Sequence, residues 1–566
     1  MAEVSQTHAP SFPPVTFEDW RAKVEADLGG APFEKRLVAQ TREGLEIQPL
    51  YSDRPDADAV LARGAARWER HEELDGGDVA RRLARLDAAR RFGVDGVRLT
   101  ANSPGDFTRL AQRARELDLA LHLSQPEYAA EMLGSGVNGG AGLAPDAVDS
   151  ELLLAWRECT GDTSLVTVRA AAAERRGAGE ALQIALLLAG GACWLRRAEE
   201  LGLSVPEADA ALEFELGLGT DLFLEMAKLR ATRLAWSRLF AACEGAADAP
   251  RARLHARSSE RAWTVRDPWV NALRATTMTF AGALGGADSI TALPFDALLG
   301  VPDDEALRLA ANTHAILADE SHLAAVDDPA AGSGYVEELT DALAREAWAR
   351  FRRIEELGGL SSKAARAWID ERIAEVDARD ACEVASRKRG IVGVSEYPFL
   401  DEEQPARAPR ERPAEPRTLA GPYEALRSRS DAHLAATGAR PTAFLACLGA
   451  QAEFRARAGF ARNLLAAGGI AAAESDGFEV AATAAEAFRA GSARIAVICG
   501  TDARYVQDAA PLAEALAAAG AVVVLAGKPG EHEDTWRAAG VSHFVHLGCD
   551  ALGVLRQLLD AAEVSA

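Results

Sequence analysis

Few residues of this chain stand where side chains usually do chemistry. His255 closes the run Arg253-Leu254-His255-Ala256, which reads as a short strand, and Arg257-Ser258-Ser259 follow it. An imidazole at a strand end can exchange protons near neutral pH or touch a ligand. It can equally spend both ring nitrogens on local hydrogen bonds. His532, His543 and His546 come late in the sequence, on different loops or strands, and are not expected to converge on one ligand set. The seven cysteines are odd in number and include no C-x-x-C pair, so they read as free, buried thiols in a reducing cytoplasm.

The elements around these residues alternate. Short apolar or β-branched runs fall at Ile47-Gln48-Pro49-Leu50-Tyr51, Gly96-Val97-Arg98-Leu99-Thr100 and Leu119-Ala120-Leu121-His122-Leu123, with a weaker one near Val137. Others follow at Leu165-Val166-Thr167-Val168, Leu212-Glu213-Phe214-Glu215-Leu216, Arg253 to Ala256 and Ser289-Ile290-Thr291-Ala292. Helical stretches such as Ala181 to Arg197 and Asp221 to Ala242 separate them. Eight strands with intervening helices over about 250 residues predict a (β/α)8 barrel. Two further helices, Asp341 to Leu357 and Ser362 to Ser386, form a tail. Between Asp401 and Thr418, Pro405, Pro409, Pro413 and Pro416 fall among charges, the composition of an extended linker.

From Pro441 a second alternation begins. Phe444 to Leu448, Ile495 to Cys499 and Val522 to Ala526 are continuous apolar strands and Ser542 to Leu547 is a last strand, with helices Arg455 to Ala467 and Ala510 to Ala518 and a closing helix after Asp550. Strands apolar on both faces imply a parallel sheet covered on both sides, here of flavodoxin-like, doubly wound type. The fold class is therefore α/β. The expected organisation is an N-terminal arm and helix over 1–40, the barrel with its tail over 41–400, a Pro-rich linker over 401–440 and the flavodoxin-like domain over 441–566. The polar, Pro-rich start up to Asp19 is expected to wrap a partner.

Size and charge narrow the function. A chain of 566 residues exceeds one ordinary core, and 48% hydrophobic with 26% charged residues is the balance of a globular protein. The net charge of -23 argues against nucleic acid and anionic membranes as partners, since both select basic surfaces. The N-terminus lacks the basic start and apolar core of a signal peptide, and no apolar run reaches the ~20 residues needed to span a bilayer. A cytoplasmic location is expected.

Several segments, in order, resemble the adenosylcobalamin-dependent acyl-CoA mutases, nearest the methylmalonyl-CoA mutases. They are Leu37 to Tyr51 (with Thr41, Gly44 and Pro49-Leu50-Tyr51), Gly217 to Arg230, Arg266 to Thr276, Asp319 to Leu323 with Asp328 to Ser333, and Arg389 to Val394. The resemblance covers roughly residues 17 to 566 and implies the same barrel, linker and flavodoxin-like domain. It also implies where chemistry would sit. The family's Asp-x-His-x-x-Gly, which supplies the cobalt ligand, falls on Gly449 to Arg457, with Phe454 at the His position and Ala452 at the Asp position. The elements that hold the nucleotide tail read Gly500-Thr501-Asp502 and Gly527-Lys528-Pro529. The Tyr-His pair after strand five falls on Ala171 and Ala172, and a further His falls on Thr291. His255 matches a family His, but its neighbour Arg257 replaces a Gln. The aromatic, Arg-rich segment after strand one has no counterpart, and Ser52-Asp53-Arg54-Pro55 stand there instead.

The resemblance thus implies a framework kept and a machinery lost. No catalytic, cofactor-binding or metal-binding residue is expected on this chain. Its implied role is a non-catalytic supporting subunit, paired with a longer homologous catalytic subunit that binds adenosylcobalamin and the acyl-CoA. Two alternatives stay open: a competent acyl-CoA mutase with a displaced site, and a stand-alone acyl-CoA-binding protein.

Overall fold

The computed structural model describes residues 15–52, 67–74, 78–99, 103–123, 126–159, 163–243, 253–410, 417–562 and 564. Most of the N-terminal arm, Asp53 to Pro55, Thr100, and Pro413 and Pro416 of the linker lie outside the described residues. Two strands, β1 (Ala39–Gln40) and β2 (Glu46–Ile47), form a small antiparallel ribbon. Eight parallel strands then close a barrel: β3 (Glu69–Leu74), β4 (Gly96–Leu99), β5 (Ala120–Leu123), β6 (Gly139–Leu143), β7 (Thr163–Arg169), β8 (Leu212–Leu218), β9 (Arg253–Ser258) and β10 (Ser289–Thr291), with β10 pairing back onto β3. The fold is therefore α/β, with a TIM-type barrel.

One strand expectation is corrected. The run Ile47 to Tyr51 does not enter the barrel, because Ile47 pairs with Ala39 in the ribbon. The first barrel strand is β3, Glu-Arg-His-Glu-Glu-Leu, whose charged sequence carries no apolar signal. The reason lies in how this barrel is packed. In β8, Phe214 turns outward and meets Trp236 edge-on at 5.0 Å, while Glu213 turns inward to Arg98. The outer strand face carries the apolar contact with the helices and the inner face carries charge, so an inward-rich strand such as β3 looks like a loop.

The ribbon has its own task. Its turn places Arg42 against Glu180 at 2.5 Å and Asp380 at 3.1 Å. Glu43 accepts a hydrogen bond from the Ala181 N–H at 2.7 Å and pairs with Arg350. A side chain at Gly179 would place its Cβ 2.1 Å from Glu43 Cδ, so glycine is what lets the carboxylate reach the start of helix Glu180–Glu200. A carboxylate there offsets the unsatisfied N–H groups of the first turn.

Helix Leu222–Ala241 is buried over most of its length, because helix Gly334–Glu356 covers its outer side. Burial forces its cations to find partners. Lys228 donates to the Gly217 carbonyl at 2.5 Å and pairs with Glu225, and Arg230 pairs with Asp328 and, at 2.6 Å, Glu337. Arg274 donates to the Val392 carbonyl at 2.7 Å. The signature segments of the sequence therefore meet in pairs, Gly217 to Arg230 with Asp328, and Arg266 to Thr276 with Arg389 to Val394. They are scaffold contacts.

The second sheet comprises β11 (Thr442–Cys447), β12 (Ala471–Glu474), β13 (Ile495–Cys499), β14 (Val522–Ala526) and β15 (Val541–Val545). They are all parallel, in the order β12-β11-β13-β14-β15. Helix Gly421–Thr437 joins it to the barrel, since Glu424 accepts from the backbone N–H groups of Val265 at 2.7 Å and Arg266 at 3.1 Å. No helix among the described residues is long and apolar enough to cross a membrane.

Candidate functional site

Chemistry in these two folds belongs at the C-terminal ends of the parallel strands, and in the open sheet at the point where strand order reverses. In the barrel those ends surround a cavity of about 470 Å³ lined by Thr41, Arg42, Glu180, Asp221, Ser259 and Arg261 among others. Its charges are already committed. Arg261 holds Asp377 at 2.7 Å and Asp380 at 3.1 Å, and Ser259 donates to Glu174 at 2.5 Å. Ala171 is buried at the start of the short helix that follows β7, and Ala172 is exposed beside it. Two methyl groups can neither polarise a carbonyl nor move a proton.

Below this cavity the barrel axis is filled. Arg98 grips Glu213 with two parallel hydrogen bonds of 3.0 and 2.9 Å, from β4 to β8 across the interior. Arg257 reaches Glu73 at 2.7 Å, and Arg169 donates to the carbonyls of Gly142 and Leu123 at 3.0 and 3.1 Å. Three imidazoles complete the plug, with the His71 ring 4.8 Å from that of His122 and 5.4 Å from that of His255. His255 is wholly buried, with Nδ1 2.8 Å from Ser289 Oγ and Nε2 3.4 Å from Thr291 Oγ1. It is a hydrogen-bonded core residue, and Thr291 stands beside it as partner. Burial, and then the Arg98 charge, hold the pKa of His122 and of His255 well below the usual imidazole range, so both rings are neutral at pH 7.

In the open sheet the order reverses at β11, with β12 on one side and β13 on the other. The loop after β11 enters helix Gln451–Ala467 directly, and Phe454 lies in its first turn, 2% exposed. The loops above it close tightly. Gly477 has φ +105°, and a Cβ there would fall 2.3 Å from the Gly449 carbonyl oxygen and 3.1 Å from Phe454 Cε1. Ala452 is exposed on the same turn. The neighbouring groove between β13 and β14 is taken by Tyr505, whose hydroxyl donates to the Ala526 carbonyl at 2.9 Å and accepts from the Gly500 N–H at 2.9 Å. Arg457 lies 4.8 Å over the Tyr505 ring and pairs with Asp502 at 2.6 Å. A side chain at Gly527 would meet Arg457 at 2.8 Å. These residues do not fit a corrin's lower ligand, because a buried phenyl ring offers no lone pair and the groove beside it is filled.

The other histidines stay apart from this crevice. His543 lies in β15, His546 donates from Nδ1 to the Leu547 carbonyl at 2.9 Å, and His532 precedes the short helix Glu533–Ala538. All seven cysteines are free; Cys447 and Cys499 sit opposite each other on β11 and β13. Among the described residues the only group of three metal-ligand side chains is Glu69, His71 and His122, which no spacing in the sequence indicates. A hint was available in β3 and β5, where His71 and His122 both stand at alternate positions that point inward.

A family model described as methylmalonyl-CoA mutase matches residues 157–436. The chain is 38% identical to a methylmalonyl-CoA mutase small subunit from Streptomyces virginiae, over 98% of each chain. It is 31% identical to the methylmalonyl-CoA mutase small subunit of Propionibacterium freudenreichii subsp. shermanii, over 98% of this chain and 96% of that one. Against Escherichia coli methylmalonyl-CoA mutase the identity is 36%, over 44% of this chain and 36% of the relative. With similarity running over 98% of the chain to two relatives, the chain belongs to the methylmalonyl-CoA mutase family.

Proposed function

We propose that this chain is the supporting subunit of a heterodimeric methylmalonyl-CoA mutase. The reaction, interconversion of (R)-methylmalonyl-CoA and succinyl-CoA, takes place in a longer homologous subunit that holds adenosylcobalamin and the acyl-CoA. The observation that carries this reading is that the chain's own side chains fill the barrel axis below the upper cavity and the crevice of the open sheet. A thioester arm has no open path along an axis crossed by Arg98 and Glu213. A cobalt ion finds a phenyl ring where an imidazole is needed. The similarity to small subunits along the whole length supports the same reading, whereas the similarity to the Escherichia coli mutase covers less than half of the chain. Free cysteines and a strongly acidic balance suit the cytoplasm.

The test is a spectrophotometric titration with adenosylcobalamin, first of the purified chain and then of its mixture with the large subunit. No spectral change alone, with stoichiometric binding and mutase activity in the mixture, is expected. Tight binding by the isolated chain would overturn the proposal.

A further inference from the structure

The barrel end opposite the expected chemistry holds a second cavity, of about 560 Å³, at the N-terminal ends of the strands. Its wall includes the carboxylates Glu69, Asp95, Asp118, Glu213 and Asp288. Arg67, Arg115 and Arg253 share this wall, and Arg70, Arg98 and Arg233 outside the lining pair with Asp95, Glu213 and Asp288. Glu69 and His122 line it, and together with the buried His71 beside them each presents a ligand atom, these atoms lying within 4.8 Å of one another. Glu69 Oε2 and His71 Nε2 are 3.0 Å apart, close to the separation of two ligands on a tetrahedral ion with bonds of about 2 Å.

We propose that Glu69, His71 and His122 form a binding site for a divalent transition metal of the zinc class, with an open coordination position toward the cavity. Two imidazoles and a carboxylate are the donor set that suits such an ion and not calcium or magnesium, which select oxygen. The surroundings are built for two rings. A Cβ at Gly96 would come within 2.7 Å of His71 Nε2, and one at Gly140 within 2.9 Å of His122 Nδ1. Both rings are buried, and each keeps an Nδ1 with no hydrogen-bond partner. An imidazole that ligates through Nε2 carries its proton on Nδ1, where a carboxylate can fix the ring. Glu213 Oε2 lies 3.8 Å from His122 Nδ1, within a small ring rotation of that bond. Glu69 is the exposed member, with its side chain 59% accessible, so an ion can arrive from solvent without opening the core. Bound there, it ties β3 to β5 across β4 and closes the lower end of the plug.

The full-length chain, stripped with chelator and dialysed, is titrated with Co²⁺ and with Zn²⁺ alone. One equivalent of Zn²⁺ by elemental analysis, visible absorption of four- or five-coordinate Co²⁺, and a rise in Tm on metal addition are expected. Glu69→Gln, whose exposed side chain carries little folding risk, is expected to weaken Zn²⁺ binding at least about tenfold in chelator competition, and His122→Gln to abolish the Co²⁺ bands. A wild-type chain that binds no stoichiometric metal, or whose affinity is unchanged in Glu69→Gln, overturns the proposal. The readouts do not depend on mutase activity, so the supporting-subunit reading can fail while this one stands, and the reverse.

Discussion

The barrel axis and the crevice of the open sheet are both closed, and they are closed by opposite means. The axis is closed by charge. Arg98, Glu213, Arg257 and Glu73 pair across it, and three imidazoles pack among them. The crevice is closed by aromatic rings, with Phe454 sealed under Gly477 and Tyr505 spanning the strand ends. The difference follows from the two folds. Inward positions of this barrel face only one another, with the apolar demand met by the outer face against the helices, so buried charges persist there once each has a partner. A doubly wound sheet has no second interior, and the loop after β11 folds onto the apolar core it covers.

Breaking the axis is expected to cost most. Arg98→Ala leaves the Glu213 carboxylate buried and unpaired, and a loss of about 3–5 kcal/mol in urea unfolding is expected, measured without metal. Replacing both by Met and Leu is expected to cost far less. If the single and the double replacement lose the same amount, the charges do not close the axis as a pair.

In the crevice, Phe454→Ala is expected to lose about 3–4 kcal/mol, as for any buried ring removed from a packed core. Phe454→His sharpens the contrast. A loss of about 1–3 kcal/mol from the buried polar edge is expected, with no change in the spectrum of added adenosylcobalamin, because Tyr505 and Arg457 still fill the groove. A protein-imidazole spectrum in that variant would mean that the ring alone keeps the cofactor out.

A smaller effect comes from the charged layer outside the barrel. Burial raises the Glu225 carboxyl to about 7, against the pull of Lys228. Its folded pKa lies above the unfolded value of 4.5, so the folded state holds this proton more tightly. The stability it contributes is complete below pH 4.5 and is lost as pH rises through 7. The span is on the order of 2–3 kcal/mol. Glu225→Gln is expected to flatten the pH dependence of Tm over that window, and an unaltered slope would assign it to other groups. At the rim of the crevice, Arg504→Ala removes a guanidinium shared by the exposed Glu479 and by Asp508. Less than about 0.5 kcal/mol is expected to change, as for surface pairs in general.

The open sheet was legible because Ile495 to Cys499 and Val522 to Ala526 are apolar on both faces, as strands must be when helices cover a parallel sheet from both sides. Phe454 could be placed without coordinates, since a phenyl ring cannot ligate cobalt in any fold. The barrel was legible only as a count. Eight runs were present, yet Ile47 proved to pair in the ribbon while Glu69 to Leu74 proved to be the first strand. Its inward residues are Glu69, His71 and Glu73, and charge at alternate positions is also the signature of an exposed loop.

The resemblance thus set Phe454, Ala171 and Ala172 at the positions where the family carries its chemistry, and the succession of apolar runs decided the two parallel folds. Tertiary structure decided which residues meet. Arg98 meets Glu213 across 115 positions of sequence, and His71 meets His122 only because β4 lies between their strands. Barrel closure sets that register, and contacts fixed by closure leave no trace in local periodicity.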